Sequence, residues 1–531
     1  MKLLAFRPAL ALVLTTVGAL SAQAQSPYVG QALDYSRLQF GGPARTQGLA
    51  GANVALGADF GNLSSNPAGL GLYQKSELHL APGLGLGSGE GRGNGGPRTA
   101  DQNSFHIGSA GVVLTNRRPD GDAAGNGWRG GSFGLGFTRQ ADFNKAFRYT
   151  NSTSDDRSFF QYLNEPGGYS DINSPDYQQA VADIATQYDD ETYTSLEGLA
   201  YGNYLTNIER IRRPGGPVGD SVLVLDAVRR SGPITQNESV ISSGSLSQFD
   251  LAYGGSYRDR VYVGGGVGIV SLNHERTSIF SEDSEGAQDF ETRDRVKTTG
   301  AGINARLGII YRLSDFVRLG ASVQTPTYIR LTDTYSTSLT VNNDFLPPGS
   351  GLGNSLSTVP GTYNYSLVTP FRANGGVAVL VNKYGFLTGD IEYVGYSQAR
   401  YSSNPNDADG DDYSFQGENA DINDFYKSTV NVRLGAEGRF DIFRLRAGFA
   451  HYGDPYRNGY IGRAQRFYTA GAGLRQGNFF LDVAGVYSTY NQQHSSYALA
   501  RDPRQPQVVR EPVIDVTNKR FTTTLTAGLT F

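Results

Sequence analysis

Five histidines, His79, His106, His274, His451 and His494, are scattered through the sequence, and none forms an HExxH or HxxxH pair that would hold a metal. With no Cys there is no disulfide framework, no thiolate zinc or iron–sulfur site and no cysteine nucleophile. Three motifs resemble catalytic or binding loops. Gly130-Gly131-Ser132-Phe133-Gly134 fits G-x-S-x-G, but a nucleophile elbow needs a strand followed by a helix, and here strand follows strand. Asp407-Ala408-Asp409-Gly410-Asp411-Asp412 has part of a calcium loop without its full spacing or terminal Glu, and reads as a solvated acidic loop. Gly264-Gly265-Gly266-Val267-Gly268 lacks the βαβ context of a dinucleotide fingerprint. The expectation is therefore no enzyme, no metal and no cofactor. What remains are charged side chains at alternate positions of otherwise apolar segments: Arg306, Arg318, Arg433, Arg444 and Arg446, with Asp390, Glu392 and Glu437. A guanidinium in such a place can hold a ligand carboxylate through a bidentate pair, or can pair with a neighbouring acid. Arg306, Arg433 and Arg446 are the candidate ligand contacts.

The elements carrying these charges follow from composition and period. Against 46 Lys plus Arg stand 50 Asp plus Glu among 531 residues, a balance that argues against nucleic acid as a partner. There are 32 Tyr, 27 Phe and 69 Gly but a single Met, a usage unlike that of ordinary soluble domains. Lys2 and Arg7 precede an apolar run from Ala9 to Leu20 and then Ala22-Gln23-Ala24, the pattern of a secretory signal cleaved after residue 24. Mean hydropathy is −0.37, and no later stretch approaches the length of a membrane helix. From about residue 76 the apolar residues recur with period two. In Val430 to Glu437, Val430, Val432, Leu434 and Ala436 share one face, while Asn431, Arg433, Gly435 and Glu437 share the other. Leu525, Ala527, Leu529 and Phe531 do the same opposite Thr524, Thr526, Gly528 and Thr530. Period alone fits both a soluble sandwich and a membrane barrel.

Connection lengths separate the two. Tight turns at Tyr257-Arg258-Asp259-Arg260, Leu313-Ser314-Asp315, Asn382-Lys383-Tyr384-Gly385, Phe440-Asp441-Ile442 and Arg475-Gln476-Gly477-Asn478 alternate with long polar segments near 273–294, 342–362, 402–424, 453–463 and 491–517. Short turns at one end and long loops at the other are the habit of an outer-membrane barrel. The sequence thus predicts an all-β transmembrane antiparallel barrel of about 14 strands spanning residues 76–531, with Tyr253, Tyr311, Tyr393, Tyr452, Tyr487 and Tyr490 as girdle candidates. Residues 25–75, rich in Gly, Ala and Asn, have too little apolar mass to fold alone and are expected to plug the lumen. The insertion at about 141–244, with helical spacing in Ala180, Ile184, Tyr188, Leu196 and Leu199, is expected to be a partly helical extracellular loop.

These segments resemble the FadL/TodX-type outer-membrane transporters of hydrophobic compounds, in particular the divergent members of Bacteroidetes-like bacteria. The resemblance rests on Gln47 to Leu72 with Asn66-Pro67-Ala68, on Phe371-Arg372-Ala373-Asn374-Gly375-Gly376 leading to Asp390 through Ser397, and on Val432 to Glu437 followed by Leu445-Arg446-Ala447-Gly448-Phe449. It implies a monomeric barrel, a hatch and a hydrophobic ligand, such as a long-chain fatty acid or an aromatic hydrocarbon, that leaves sideways through the wall into outer-membrane lipid. Asn66, Pro67 and Ala68 would belong to the moving hatch element. Pro67 has no N–H and holds Asn66 extended, so this turn stays out of any ladder. Gly130, Gly131 and Gly134 are candidates for the kink that opens the wall, since glycines mark bends in strands. Phe531 closes the last strand and is the expected signal for the barrel assembly machinery. Relatives used as docking or shuttle components of a secretion system supply the alternative reading.

Overall fold

A strand in lipid has only its neighbours to satisfy its backbone, and the sheet accordingly closes on itself. The computed structural model describes residues 27–118, 127–166, 169, 171–284, 289–342, 355–403, 413–458, 462–499 and 511–531. The expected leader over 1–24 and the acidic run at 407–412 lie outside the described residues. Fourteen antiparallel strands form the wall. They are β1 (Glu77–Gly93), β2 (Gly96–Arg117), β3 (Trp128–Asp142, continued by Lys145–Thr153), β4 (Ile234–Tyr257), β5 (Val261–Ser284), β6 (Asp289–Arg312) and β7 (Val317–Gln324, continued by Tyr328–Asn342). After them come β8 (Gly361–Val368, continued by Arg372–Val381), β9 (Gly385–Gly395, continued by Arg400–Ser403), β10 (Ser428–Phe440), β11 (Phe443–Tyr452), β12 (Gln465–Gln476), β13 (Phe479–His494) and β14 (Ile514–Thr530). Each pairs with the next, and β14 closes on β1 from Glu77↔Thr530 to Arg92↔Asp515.

Side-chain parity is inverted relative to a soluble sheet. On β10, Val430 and Leu434 are each 52% exposed, whereas Asn431 and Arg433 are buried. On β14, Phe521, Leu525 and Leu529 face outward while Thr524 and Thr526 are fully enclosed. Repeated around the wall, this gives an apolar outer belt, and Tyr253, Tyr311, Tyr393 and Tyr487 stand exposed on it. Tyr452 differs from the girdle expectation: it is buried in the lumen, where its hydroxyl accepts from Arg433 Nε at 3.1 Å. Among the described residues no helix is long and apolar enough to span a membrane.

The five tight turns join β4–β5, β6–β7, β8–β9, β10–β11 and β12–β13 as expected. At the opposite end, where long loops are the habit, two connections are short. Asn94 and Gly95 alone join β1 to β2, and the polar segment near 273–294 is the extension of β5 and β6, paired from Val261↔Tyr311 to Glu282↔Phe290. Similarly, the insertion assigned to 141–244 begins and ends as wall, because Lys145–Thr153 pairs with Ile234–Ser242. Beyond the lipid the outward faces of these strands are largely polar and the inward ones carry only scattered apolar residues such as Phe147, Val240, Phe280 and Phe290, so hydrophobic alternation fades while the hydrogen-bond ladder continues. The loop between them carries α3 (Phe159–Leu163), α4 (Pro175–Asp189), α5 (Leu196–Gly202) and the hairpin Thr206–Arg212 with Ser221–Ala227. Ser174 and Ser195 cap α4 and α5 by accepting from Tyr177 N and Gly198 N.

The segment before β1 lies in the lumen. It contains α1 (Pro27–Ser36), α2 (Ala44–Gly48) and two 3₁₀ turns, Phe60–Leu63 and Pro67–Leu72. Too short of apolar mass for its own core, it is fastened to the wall by hydrogen bonds. Ala44 N donates to Thr526 Oγ1 (2.8 Å), Thr469 Oγ1 to Gly48 O (2.9 Å), Val54 N to Asp390 (2.9 Å), Arg318 to Leu56 O (2.7 Å) and Ser322 Oγ to Ser65 O (2.8 Å).

The second half of β3 departs from the cylinder. It keeps β4 as a partner, but β2 pairs with β3 only from Ser109↔Thr138 to Arg117↔Gly130. Lys145–Thr153 tucks inward across β1, whose lumen-facing residues there are Gly87, Gly89, Gly91 and Gly93. A Cβ at Gly89 would collide with the Ala146 carbonyl, and one at Gly91 would lie 2.6 Å from the Arg148 carbonyl oxygen.

Two outcomes are expected. The substitution Gly89→Leu should expel Lys145–Thr153 from β1, read as loss of hydrogen-exchange protection confined to that segment while the ladder β4–β14 keeps its own. Deleting residues 25–75 should leave a barrel that folds, since its ladder closes without them, and that conducts nonspecifically in planar bilayers; unchanged conductance would refute the plug.

Candidate functional site

Three parts of the lumen bear on function: the hatch turn, the chamber above it and the seam in the wall. The hatch turn is built on Asn66. Its backbone is extended (φ −143°, ψ 96°), and its side chain caps the following 3₁₀ turn by accepting from Ala68 N at 3.2 Å. The same side chain donates through Nδ2 to Val54 O within the hatch (2.7 Å) and to Ile309 O of β6 (3.3 Å). Asn66, Pro67 and Ala68 are all buried, and they press on glycines of three successive strands. Cβ atoms at Gly254 (β4), Gly264 (β5) and Gly308 (β6) would meet Pro67 or Asn66. One buried amide therefore joins two parts of the hatch to the wall, and removing it leaves those carbonyls short of donors at about 1–3 kcal/mol.

The chamber lies toward the long-loop end and is apolar. Leu246, Val270, Ile329, Leu367 and Tyr401 of the wall, with Phe415 and Ile422, enclose α1 through Val29, Ala32, Leu33 and Tyr35. Ile422 belongs to α6 (Gln416–Phe425), and Phe415 precedes it. The Tyr28 ring meets three rings edge-on: Tyr365 at 5.3 Å, Tyr401 at 5.6 Å and Phe415 at 5.3 Å between centroids. Burial holds the Tyr28 hydroxyl proton well above the ordinary phenol range. Hydroxyls of Tyr401 and Tyr426 donate to the carbonyls of Tyr28 and Val29, each at 2.9 Å, and Arg372 donates to Ser36 O. Asp34 pairs with Lys145 of the tucked segment at 3.1 Å. The enclosed void beside Tyr35 is about 10 Å³, room for roughly one water.

The chamber exists because three neighbouring strands pause at one level. β7, β8 and β9 are interrupted at 325–327, 369–371 and 396–399, and Pro326 and Pro370 bring no N–H to the ladder there. Thr327 and Thr369 replace it, with Thr327 N donating to Thr369 Oγ1 (3.0 Å) and Thr369 N to Thr327 O (2.9 Å).

The seam is the stretch of β2 from Gly96 to Ile107 that has a ladder partner in β1 but none in β3. Phe105, 76% exposed, and Ile107 face outward beside it, at the level of Leu84 and Leu86 of β1. Behind it stands a polar cluster. Asp142 accepts from Arg520 (2.6 Å) and pairs with Arg139 (3.1 Å), and Arg520 also donates to Ser104 Oγ of β2 (2.8 Å). The hatch backs this cluster: Gln39 N donates to Gln140 O (2.7 Å), and a Cβ at Gly41 would collide with the Arg139 carbonyl. Gly130, Gly131 and Gly134 lie nearer the short-turn end. Gly130 sits at a bulge with φ +109°, and a Cβ at Gly134 would lie 2.9 Å from the hatch residue Leu63. The departure of β3 from β2 falls some residues further on, after Thr138 and just before a second register shift at Arg139/Ala141.

The three candidate arginines all point into the lumen and all are engaged. Arg306 pairs with Asp250 (2.6 Å), Arg433 with Glu392 (2.6 Å), and Arg446 with both Glu437 and Asp482 (2.7 Å each). Glu392 also takes Arg372 (3.0 Å), and Arg45 of α2 joins Asp59 and Glu437 (3.4 and 3.7 Å), tying the hatch into the wall network. Buried charges persist when paired in this way, and breaking one pair is costly. Arg444 lies at the β10–β11 turn, donating to the Asp441 and Phe443 carbonyls. Among the described residues no group of three acidic, His or Cys side chains is placed to hold a metal. The chamber aromatics Tyr28, Tyr365 and Tyr401 and the seam cluster went unseen in the sequence. Their signal was the lumen parity of Tyr365 and Leu367, where large apolar residues replace the expected polar ones.

No family model matches the sequence, and neither does any curated protein. Solved structures do. A FadL homologue of Pseudomonas aeruginosa superposes with a TM-score of 0.50 at 13% identity, covering 93% of this chain and 98% of the other. The toluene transporter TodX of P. putida gives 0.48 at 12% identity over 93% and 99% of the two chains, and the toluene transporter TbuX of Ralstonia pickettii gives 0.43 at 14% over the same shares. Identities this low speak of fold alone: the closed fourteen-stranded wall has the fold of the FadL homologue.

Proposed function

We propose that the protein is a passive outer-membrane channel for hydrophobic small molecules, long-chain fatty acids or aromatic hydrocarbons, acting as a monomer and without catalysis. The observation that carries the reading is the seam: a wall whose ladder is interrupted between β2 and β3 within the apolar belt, with the hatch directly behind it. An unpaired strand edge facing lipid is unfavourable, and a barrel that keeps one has a use for it. The loops around α4 and α5 capture the ligand, which enters the aromatic chamber as α1 withdraws. Tyr28 stands in that chamber as a placeholder for an apolar ring or chain. Release of the Asn66 turn from β6 lets the hatch shift, drawing residues 39–41 from behind Arg139, Asp142 and Arg520, and the ligand leaves sideways into the outer leaflet. The paired arginines serve as fasteners of hatch to wall, and Phe531 at the end of β14 is read during assembly. The shared barrel of the P. aeruginosa FadL homologue, matched along nearly its whole length, supports a reading of this kind.

Hatch movement can be tested directly because the chain has no Cys. The Asn66 Cγ lies 2.9 Å from the position of a Cβ on Gly308, which brings the two Cβ positions within the reach of a disulfide. In the Asn66→Cys, Gly308→Cys double variant, oxidation should reduce uptake of a radiolabelled fatty acid or of toluene to background, and dithiothreitol should restore it. Equal uptake in both redox states would show that the turn stays still during transport. Native mass spectrometry with lipid extraction on the protein from outer membranes should find a monomer carrying a hydrophobic compound. A stable complex with other proteins and an empty lumen would favour the docking or shuttle reading instead.

A further inference from the structure

We propose that the outer wall above the seam carries a second binding site, a notch that takes an anionic saccharide. Because Lys145–Thr153 tucks across β1, the wall is recessed between β2 and β4, and the recess is a cavity of about 370 Å³. Arg98 of β2 forms one side, Arg148 and Thr150 of the tucked segment form the floor, and Asn237, Ser239 and Glu291 stand opposite. It opens outward: Asn237 and Ser239 share the parity of Phe249, Leu251 and Tyr253, which face lipid further down β4. It is separate from the chamber and from the channel.

Its chemistry is set by two guanidiniums. Arg98 and Arg148, both exposed, have no hydrogen-bond or ion-pair partner among the described residues, unlike Arg92, which Glu90 matches, and Arg295, which Glu275 matches. Glu238 at the back is fully used, accepting from Ser278, Ser496 and His494. Glu291 is left as the acid opposing the two cations. Thr150, Asn237 and Ser239 add hydroxyl and amide groups. Two forked cations beside a hydroxyl and amide wall suit a phosphorylated or carboxylated sugar, and the volume lies in the range of small-ligand sites.

Height identifies the surroundings. Ile269 is the last strongly exposed apolar residue of the belt on β5, and Ile279 lines the notch ten residues further along the strand. At ~3.4 Å per residue and a tilt of ~40°, that is roughly 25 Å above the belt. In an outer membrane this is the sugar layer of the outer-leaflet glycolipid, above its acyl chains. A ligand held there would anchor a glycolipid beside the seam. The shared chemistry also admits a free anionic oligosaccharide.

The test compares the full-length barrel with its Arg98→Ala, Arg148→Ala double variant, immobilised in mild detergent, with heat-modifiable gel mobility confirming the fold of both. The probes are intact rough-type lipopolysaccharide, its delipidated phosphorylated core oligosaccharide, and that oligosaccharide after removal of phosphate. The expected result is binding of the phosphorylated probes that falls at least about tenfold in the double variant, falls equally on dephosphorylation, weakens in high salt, and is partly kept in Arg98→Lys, Arg148→Lys. Binding of intact lipopolysaccharide without its free core assigns the site to the membrane glycolipid, and binding of both assigns it to the saccharide alone. Equal binding by wild type and double variant, indifference to phosphate, or binding of an acidic extended peptide along the β2 edge in place of both saccharides would overturn the proposal.

Discussion

Inside a bilayer every backbone N–H and C=O must find its partner within the protein, and the rest of this molecule follows from how fourteen strands meet that demand. Closing β14 on β1 removes the sheet edges and fixes parity, with apolar residues to lipid and polar ones to the lumen. A lumen lined with Thr524, Asn431, Glu437 and Asp390 cannot be left half satisfied. The hatch fills it as a largely irregular chain whose peptide groups bond to wall side chains. Hence the hatch needs Asn, Gly and Ala rather than a hydrophobic core, and the wall needs glycines where the hatch presses closest.

The exceptions to closure are where function is proposed. β3 leaves β2, and β7, β8 and β9 pause together at the chamber. At the chamber side chains take over the work of a backbone ladder: Thr327 with Thr369, and Asn419, whose amide accepts from Tyr401 N and donates to Tyr401 O as a neighbouring strand would. Such substitutes hold with fewer bonds than a ladder. These regions are therefore the ones best able to open while the remaining wall stays intact. The paired charges work in the opposite sense. Arg45, Asp59, Glu437, Arg446 and Asp482 form one chain of ion pairs from hatch to wall, costly to break and suited to holding α2 in place.

The sequence by itself determined the wall. Alternation at Val430 to Glu437 and at Thr524 to Phe531, with tight turns such as Tyr257 to Arg260, was enough for a barrel of about 14 strands, because period two and turn chemistry are local properties of the chain. The same locality made 273–294 read as a loop, since beyond the lipid only Phe280 and Phe290 mark the inward face of the strands that continue there. Only the tertiary structure decided what meets across the lumen. That Tyr28 stands among Tyr365, Tyr401 and Phe415, that Asn66 reaches β6, and that Gly89 and Gly91 make room for a segment of β3 far along the chain are consequences of closure. Closure brings together residues whose separation in the chain carries no periodic trace, so their contacts had no signal along the sequence.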